Sequence, residues 1–191
     1  MIGERESDKP PPPIESAIMP TLHVCPLSRL HHTVAETRAS HVITLINVGS
    51  AVERPATILA DNHLFIGVSD IVEPLDGHIL PGSEHIERLL AFVRAWGRES
   101  PLVFHCWAGI SRSTAGAFIA ACALAPDRSE HDIARSLRLA SPTATPNARF
   151  VALADDVLGR RGRMVDAVRA IGRGAEAMEG APFMLELGHR D

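Results

Sequence analysis

Apolar positions run in short continuous stretches through the first half of the chain and at helical spacing through the second. Thr21 to Cys25 predicts a first strand, closed by Pro26. Leu30 to Ala39 predicts a short helix, with Leu30, Val34 and Arg38 at helical spacing. His41 to Val48 is an almost unbroken apolar run, the pattern of a strand covered on both faces. Gly49 and Ser50 end it. Asp61 and Asn62 then punctuate the chain before His63 to Val68, a further buried strand that ends at Ser69 and Asp70. A turn-rich loop with Pro74, Asp76-Gly77 and Pro81-Gly82 follows.

Ser83 is the expected N-cap of a helix through Trp96, since Ile86, Leu89, Leu90, Val93 and Trp96 fall on one stripe. Pro101 to Phe104 predicts another buried strand. Ala115 to Ala125 is apolar almost all round, which predicts a central helix, stopped by Pro126. Ser129 and Asp132 have capping-box spacing and open a helix with Ile133, Leu137 and Ala140 inward. Thr145-Pro146 is the expected N-cap and first residue of a last helix carrying Phe150, Leu153, Ala154, Val157 and Leu158. Gly159 and Gly162 break it before Met164 to Ile171 resumes the pattern. Strands early and helices late predict an α/β fold, with a central, mostly parallel sheet of about four or five strands flanked by helices on both faces. The expected organisation is a flexible proline-rich leader over 1–18, one domain over 19–171 and a tail of undefined structure over 172–191.

Composition narrows the function by exclusion. A net charge of −4 gives no basic face for nucleic acid and no polybasic anchor for a lipid surface. No apolar run approaches the ~20 residues that span a bilayer, and the polar N-terminus lacks the apolar core of a signal peptide. Cys25, Cys106 and Cys122 show neither disulfide nor metal spacing and suit a reducing cytoplasm. His31-His32 near Cys25 are spaced irregularly for a metal site. The expectation is a cytoplasmic protein with no metal and no cofactor; its oligomeric state is not written in the sequence.

The stretch His105-Cys106-Trp107-Ala108-Gly109-Ile110-Ser111-Arg112-Ser113 lies between the strand ending at Phe104 and the central helix. Strand, tight loop and helix N-terminus make an anion site from backbone N–H groups. Gly109 permits a close turn, and successive N–H groups converge into a nest. Arg112 supplies a planar fork that matches two phosphate oxygens. Nest, helix dipole and guanidinium all favour negative charge at the loop centre, so Cys106 reads as an activated thiol nucleophile. His105 is placed to support the loop, and the Ser113 hydroxyl to stabilise the thiolate when a cysteinyl phosphate breaks down.

With His before the cysteine, Gly at its centre and Ser after the arginine, this loop resembles the signature of the cysteine-dependent tyrosine and dual-specificity phosphatases, in a dual-specificity-like member of bacterial type. The resemblance covers roughly residues 20–158, Pro146-Asn147 and Phe150 included. It implies the phosphatase fold, Cys106 as nucleophile, residues Trp107, Ala108, Gly109, Ile110, Ser111 and Arg112 as phosphate cradle, and Arg112 as clamp. The family also requires a general acid on a loop after an upstream strand. Asp70 is the candidate, in a Ser69-Asp70-Ile71 setting similar to the short acid loops of dual-specificity members. Asp76 is the runner-up, though it sits where a turn begins. The implied substrates are phosphorylated proteins or small phosphoesters. The alternatives are a catalytically silent phosphoprotein-binding module of the same fold, or sulfur or arsenate chemistry on a cysteine loop. The neutral residues Trp107, Ala108, Ile110 and Ser111 make inositol phosphates poor candidates.

Overall fold

A computed structural model describes residues 21–188, so the expected leader over 1–18 lies outside the described residues, as do 189–191. Five strands form one sheet: β1 (Thr21–Pro26), β2 (His41–Ile46), β3 (His63–Gly67), β4 (Leu102–Cys106) and β5 (Phe183–Glu186). Their spatial order is β3-β2-β4-β1-β5. The first four run parallel, with Cys25 opposite His105 and Pro26 opposite Cys106 across β1 and β4. Six helices accompany them: α1 (Leu30–Thr37), α2 (Ser83–Ala95), α3 (Arg112–Leu124), α4 (Glu130–Ala140), α5 (Ala148–Val157) and α6 (Arg163–Ile171).

Alternate residues of the strands feed two cores. Leu22, Val24, Ile43, Leu45 and Phe104 enter the larger one, together with buried side chains of α2 to α6. Cys25, Val42 and Val103 face the other way and pack under Leu30 and Val34 of α1. Helices therefore cover both faces, as the unbroken apolar runs require. Helix α3 is the central one: eleven residues from Ser113 to Leu124 join its first residue, Arg112, in being buried.

Element ends shift by one to a few residues from the sequence reading, and three helix starts have a clear physical reason. Helix α3 begins at Arg112 rather than Ala115, because the Ala115 N–H already donates to Ser111 O at 2.9 Å. The N-cap of α2 is Gly82, whose N–H donates to His85 Nδ1 at 3.0 Å, and Ser83 is helical. Helix α5 is capped by Asn147, not by Thr145-Pro146: its Oδ1 accepts from the N–H groups of Arg149 and Phe150, both at 3.1 Å. The Ser129–Asp132 cap forms as the spacing demands, with Asp132 N–H donating to Ser129 Oγ at 3.0 Å.

Residues 172–188 of the tail form two pieces. Residues 172–182 form a strap across the loop that follows β4, and β5 then adds antiparallel to β1, pairing Thr21 with Glu186 and Val24 with Phe183. The strap is pinned by backbone bonds: Ala175 N–H to Pro142 O at 2.9 Å and Gly180 N–H to Ala108 O at 2.8 Å. Arg138 ties its start, donating to Pro142 O and Gly172 O, both at 2.7 Å.

Candidate active site

The carboxyl ends of three parallel strands meet at one point, the usual place for a ligand in an open α/β sheet. Strand β4 delivers Cys106, the residue after β2 is Asn47, and the residues after β3 are Val68, Ser69 and Asp70. The chain from Cys106 curls into a loop that closes on the N-terminus of α3. Gly109 sits at φ +68° in the left-handed region, and a Cβ there would lie 2.6 Å from Pro26 N. Only glycine fits this turn without displacing β1.

The loop's carbonyls are held from outside. Trp107 O accepts from Leu27 N–H at 3.2 Å, Ala108 O from Gly180 N–H at 2.8 Å, and Ile110 O from Thr145 N–H at 2.9 Å. Ser111 O accepts from Ala115 N–H at 2.9 Å. In a planar trans peptide the N–H points opposite its carbonyl. The N–H groups of Ala108, Gly109, Ser111 and Arg112 therefore turn toward the loop's centre, and the first turn of α3 adds its positive end there.

Cys106 is 2% exposed, with Sγ 3.1 Å from Ser113 Oγ. Arg112 is buried and fixed on one side only: Nη1 donates to Asn47 Oδ1 at 2.8 Å and to Val68 O at 2.9 Å. Its Nε has no hydrogen-bond acceptor in the structure and lies 3.8 Å from Asp70 Oδ2. Asp70 itself is anchored through Oδ1, which accepts from Ser111 Oγ at 2.7 Å and from Asn147 Nδ2 at 2.8 Å. Cys106, Arg112, Ser113 and Asp70 are thus brought together. Asp76 makes none of these contacts.

His105 directs its ring Nε2 toward strand β2. Its ring is fully buried, with Nε2 2.6 Å from Thr44 Oγ1, and the same hydroxyl lies 2.7 Å from His63 Nε2. Burial first, and the neighbouring His63 second, push the His105 imidazole down to about 4, so it is neutral near pH 7. Burial likewise pushes the Cys25 and Cys122 thiols up to about 12, which leaves both as inert core side chains. Trp107 is half exposed, so the loop's indole lies on the surface rather than beneath the loop. Cys25 is buried while His31 and His32 are exposed, and no group of three or more His, Cys, Asp or Glu among the described residues is placed to hold a metal ion.

Sequence reasoning passed over two residues of this site. Asn47 interrupts an apolar run at a strand end, and that single polar position was the available signal. In sequence Asn147 reads only as part of a helix start, yet its amide serves two structures: Oδ1 caps α5 and Nδ2 holds Asp70.

No protein-family model matches the chain, and no curated protein matches its sequence. Solved structures do match it. DUSP15 superposes with a TM-score of 0.59 at 19% identity, over 85% of this chain and 97% of that one. Human DUSP28 gives 0.57 at 17% identity over 80% and 96%, and the Cydia pomonella PTP-2 phosphatase 0.56 at 19% over 71% and 84%. The chain has the fold of the tyrosine and dual-specificity phosphatases, including a five-stranded central sheet flanked by six helices. No helix among the described residues is long and apolar enough to cross a membrane.

Proposed function

We propose that this protein is a cysteine-dependent phosphomonoester hydrolase of the tyrosine or dual-specificity type. One observation carries the reading. The Cys106 thiol and the buried Arg112 Nε, which has no hydrogen-bond acceptor, share a loop whose N–H groups turn inward, and Asp70 is tied to the rim of that loop through Ser111. A phosphoryl group in the loop has its equatorial oxygens on those N–H groups and the guanidinium, as charge-assisted hydrogen bonds require.

Cys106, its thiol proton given up to solvent, attacks phosphorus in line as the thiolate, an S–P bond forms, and the P–O bond to the leaving group breaks. Asp70 gives its proton to the departing oxygen. In the second half, Asp70 takes a proton from water as the water oxygen attacks phosphorus. Inorganic phosphate leaves, and the cysteine departs as a thiolate that accepts a hydrogen bond from Ser113 Oγ. The substrate is a phosphorylated protein or a smaller phosphoester, and the scheme calls for no metal.

Turnover of an aryl phosphate in excess chelator tests the scheme. Activity should survive the chelator and vanish in Cys106→Ser. Asp70→Ala should lower kcat by roughly 10²–10⁴-fold, the usual worth of a positioned acid–base group. Undiminished turnover in Cys106→Ser would sink the assignment. Tight phosphopeptide binding with no released leaving group would instead make the chain a phosphate-capture module.

A further inference from the structure

Two grooves meet the catalytic loop at Ser111, with Thr145 and Pro146 as a ridge common to both. Their chemistry differs. The groove on the acid-loop side is walled by Ile71, Val72, Pro74 and Leu75, and its charged groups are Asp70 and Glu73. The other is an open groove of about 940 Å³ that begins at Ile110 and Ser111 and is bounded by the strap. Arg169 of α6 and Arg173 of the strap line it, and Glu176 is the one acidic residue in its wall.

Both guanidiniums are solvent-accessible and only loosely engaged. Arg169 lies 3.3 Å from Asp166, and Arg173 lies 3.7 Å from Glu176, with all four side chains well exposed. Exposed pairs of this kind contribute little to stability, so an incoming anion exchanges for either carboxylate at little cost. Met178, in the same wall, is 98% exposed, an adaptable apolar surface beside the two cations. The wall is nevertheless held in place. Gly174 N–H donates to Thr145 Oγ1 at 3.0 Å and Gly180 N–H to the loop carbonyl of Ala108 at 2.8 Å, which fixes the strap relative to Ser111.

We propose that this groove is a subsite for an anionic group carried by a peptide substrate within a few residues of its phosphorylated side chain. The anion is a carboxylate or a second phosphate, which share the planar or tetrahedral oxygen geometry that arginine forks recognise. The inference rests on the phosphatase reading and narrows it to protein substrates with an acidic flank. Because the other groove carries Asp70 and Glu73, the preference holds on one side of the phosphorylated residue only.

Four phosphopeptides test it: neutral flanks, Glu placed on the N-terminal side, Glu placed on the C-terminal side, and a second phosphoserine replacing the better Glu. The quantity read is the ratio of kcat/KM for each anionic peptide to that of the neutral one. One placement should give a ratio of about ten at low salt, falling as salt rises. The Arg169→Ala/Arg173→Ala double variant should bring that ratio to about one, the level of no charge recognition. The Glu and phosphoserine arms identify which anion is preferred. A ratio near one in the unmodified protein, or one unchanged in the double variant, overturns the subsite. If no peptide is hydrolysed, the phosphatase reading fails, and the same peptides are titrated against Cys106→Ser protein. A one-sided acidic preference in binding that the arginine substitutions remove then upholds the subsite, and equal affinities overturn it.

Discussion

At the scale of single residues, Asn147 couples the helix that follows the ridge to the candidate acid. Removing its amide both uncaps α5 and releases one of the two donors on Asp70 Oδ1. The two effects separate by choice of substitution. Asn147→Asp preserves an excellent N-cap but sets a second carboxylate against Asp70. The cap itself is kept, so stability should fall only by the roughly 1–3 kcal/mol of the lost hydrogen bond to Asp70. Turnover of substrates with poor leaving groups should fall by roughly tenfold or more, since those depend most on acid assistance. Equal losses for good and poor leaving groups would make Asn147 a cap and nothing more. The contact joins residues 77 apart in sequence, which is why Cys106, Arg112 and Asp70 were legible from motif and strand end while Asn147 was not. The contact of His105 Nε2 with Thr44 is illegible for a related reason: Thr44 stands on the adjacent strand, 61 residues away in sequence.

At the scale of elements, the strap is the piece that fits most tightly. A Cβ on Gly174 would sit 2.5 Å from the backbone of Thr143 and 2.6 Å from Arg138 Nη1, and the backbone contact cannot yield as a side chain can. Gly174→Ala should therefore lift the strap and lower stability by ~1–3 kcal/mol, the range for forced overpacking. Limited proteolysis should show new cleavage between residues 172 and 182, and an unchanged digestion pattern would count against this. The elements read correctly beforehand were those with strong periodicity or long apolar runs, such as α2, α3, α4, β2 and β4. The strap and β5 have neither. Phe183-Met-Leu-Glu186 is four residues with no alternation, and it becomes a strand only because β1 offers an edge to pair with.

At the scale of the whole molecule, the buried polar chain His63–Thr44–His105 ties global stability to pH. The folded state holds His105 neutral down to about pH 4, whereas an unfolded histidine takes up a proton near 6.5. The unfolded state therefore binds more protons in this interval. The contribution is present in full above pH 6.5 and is lost as pH falls toward 4, with an upper size of about 3 kcal/mol. Urea midpoints measured from pH 7.5 to 4 should fall accordingly, and His105→Gln should flatten that part of the profile. A wild-type slope that persists in the variant would assign the effect elsewhere.

The antiparallel pairing of β5 with β1 has a further consequence, for how the protein is made. It joins residues near opposite ends of the described chain, Thr21 with Glu186. During synthesis the four parallel strands emerge long before their last neighbour, and a contact of such separation is slow to close. For that interval the edge of β1 that β5 later covers is open to pairing with another nascent chain. Among the described strands, the last to be made is the one that covers this edge of β1.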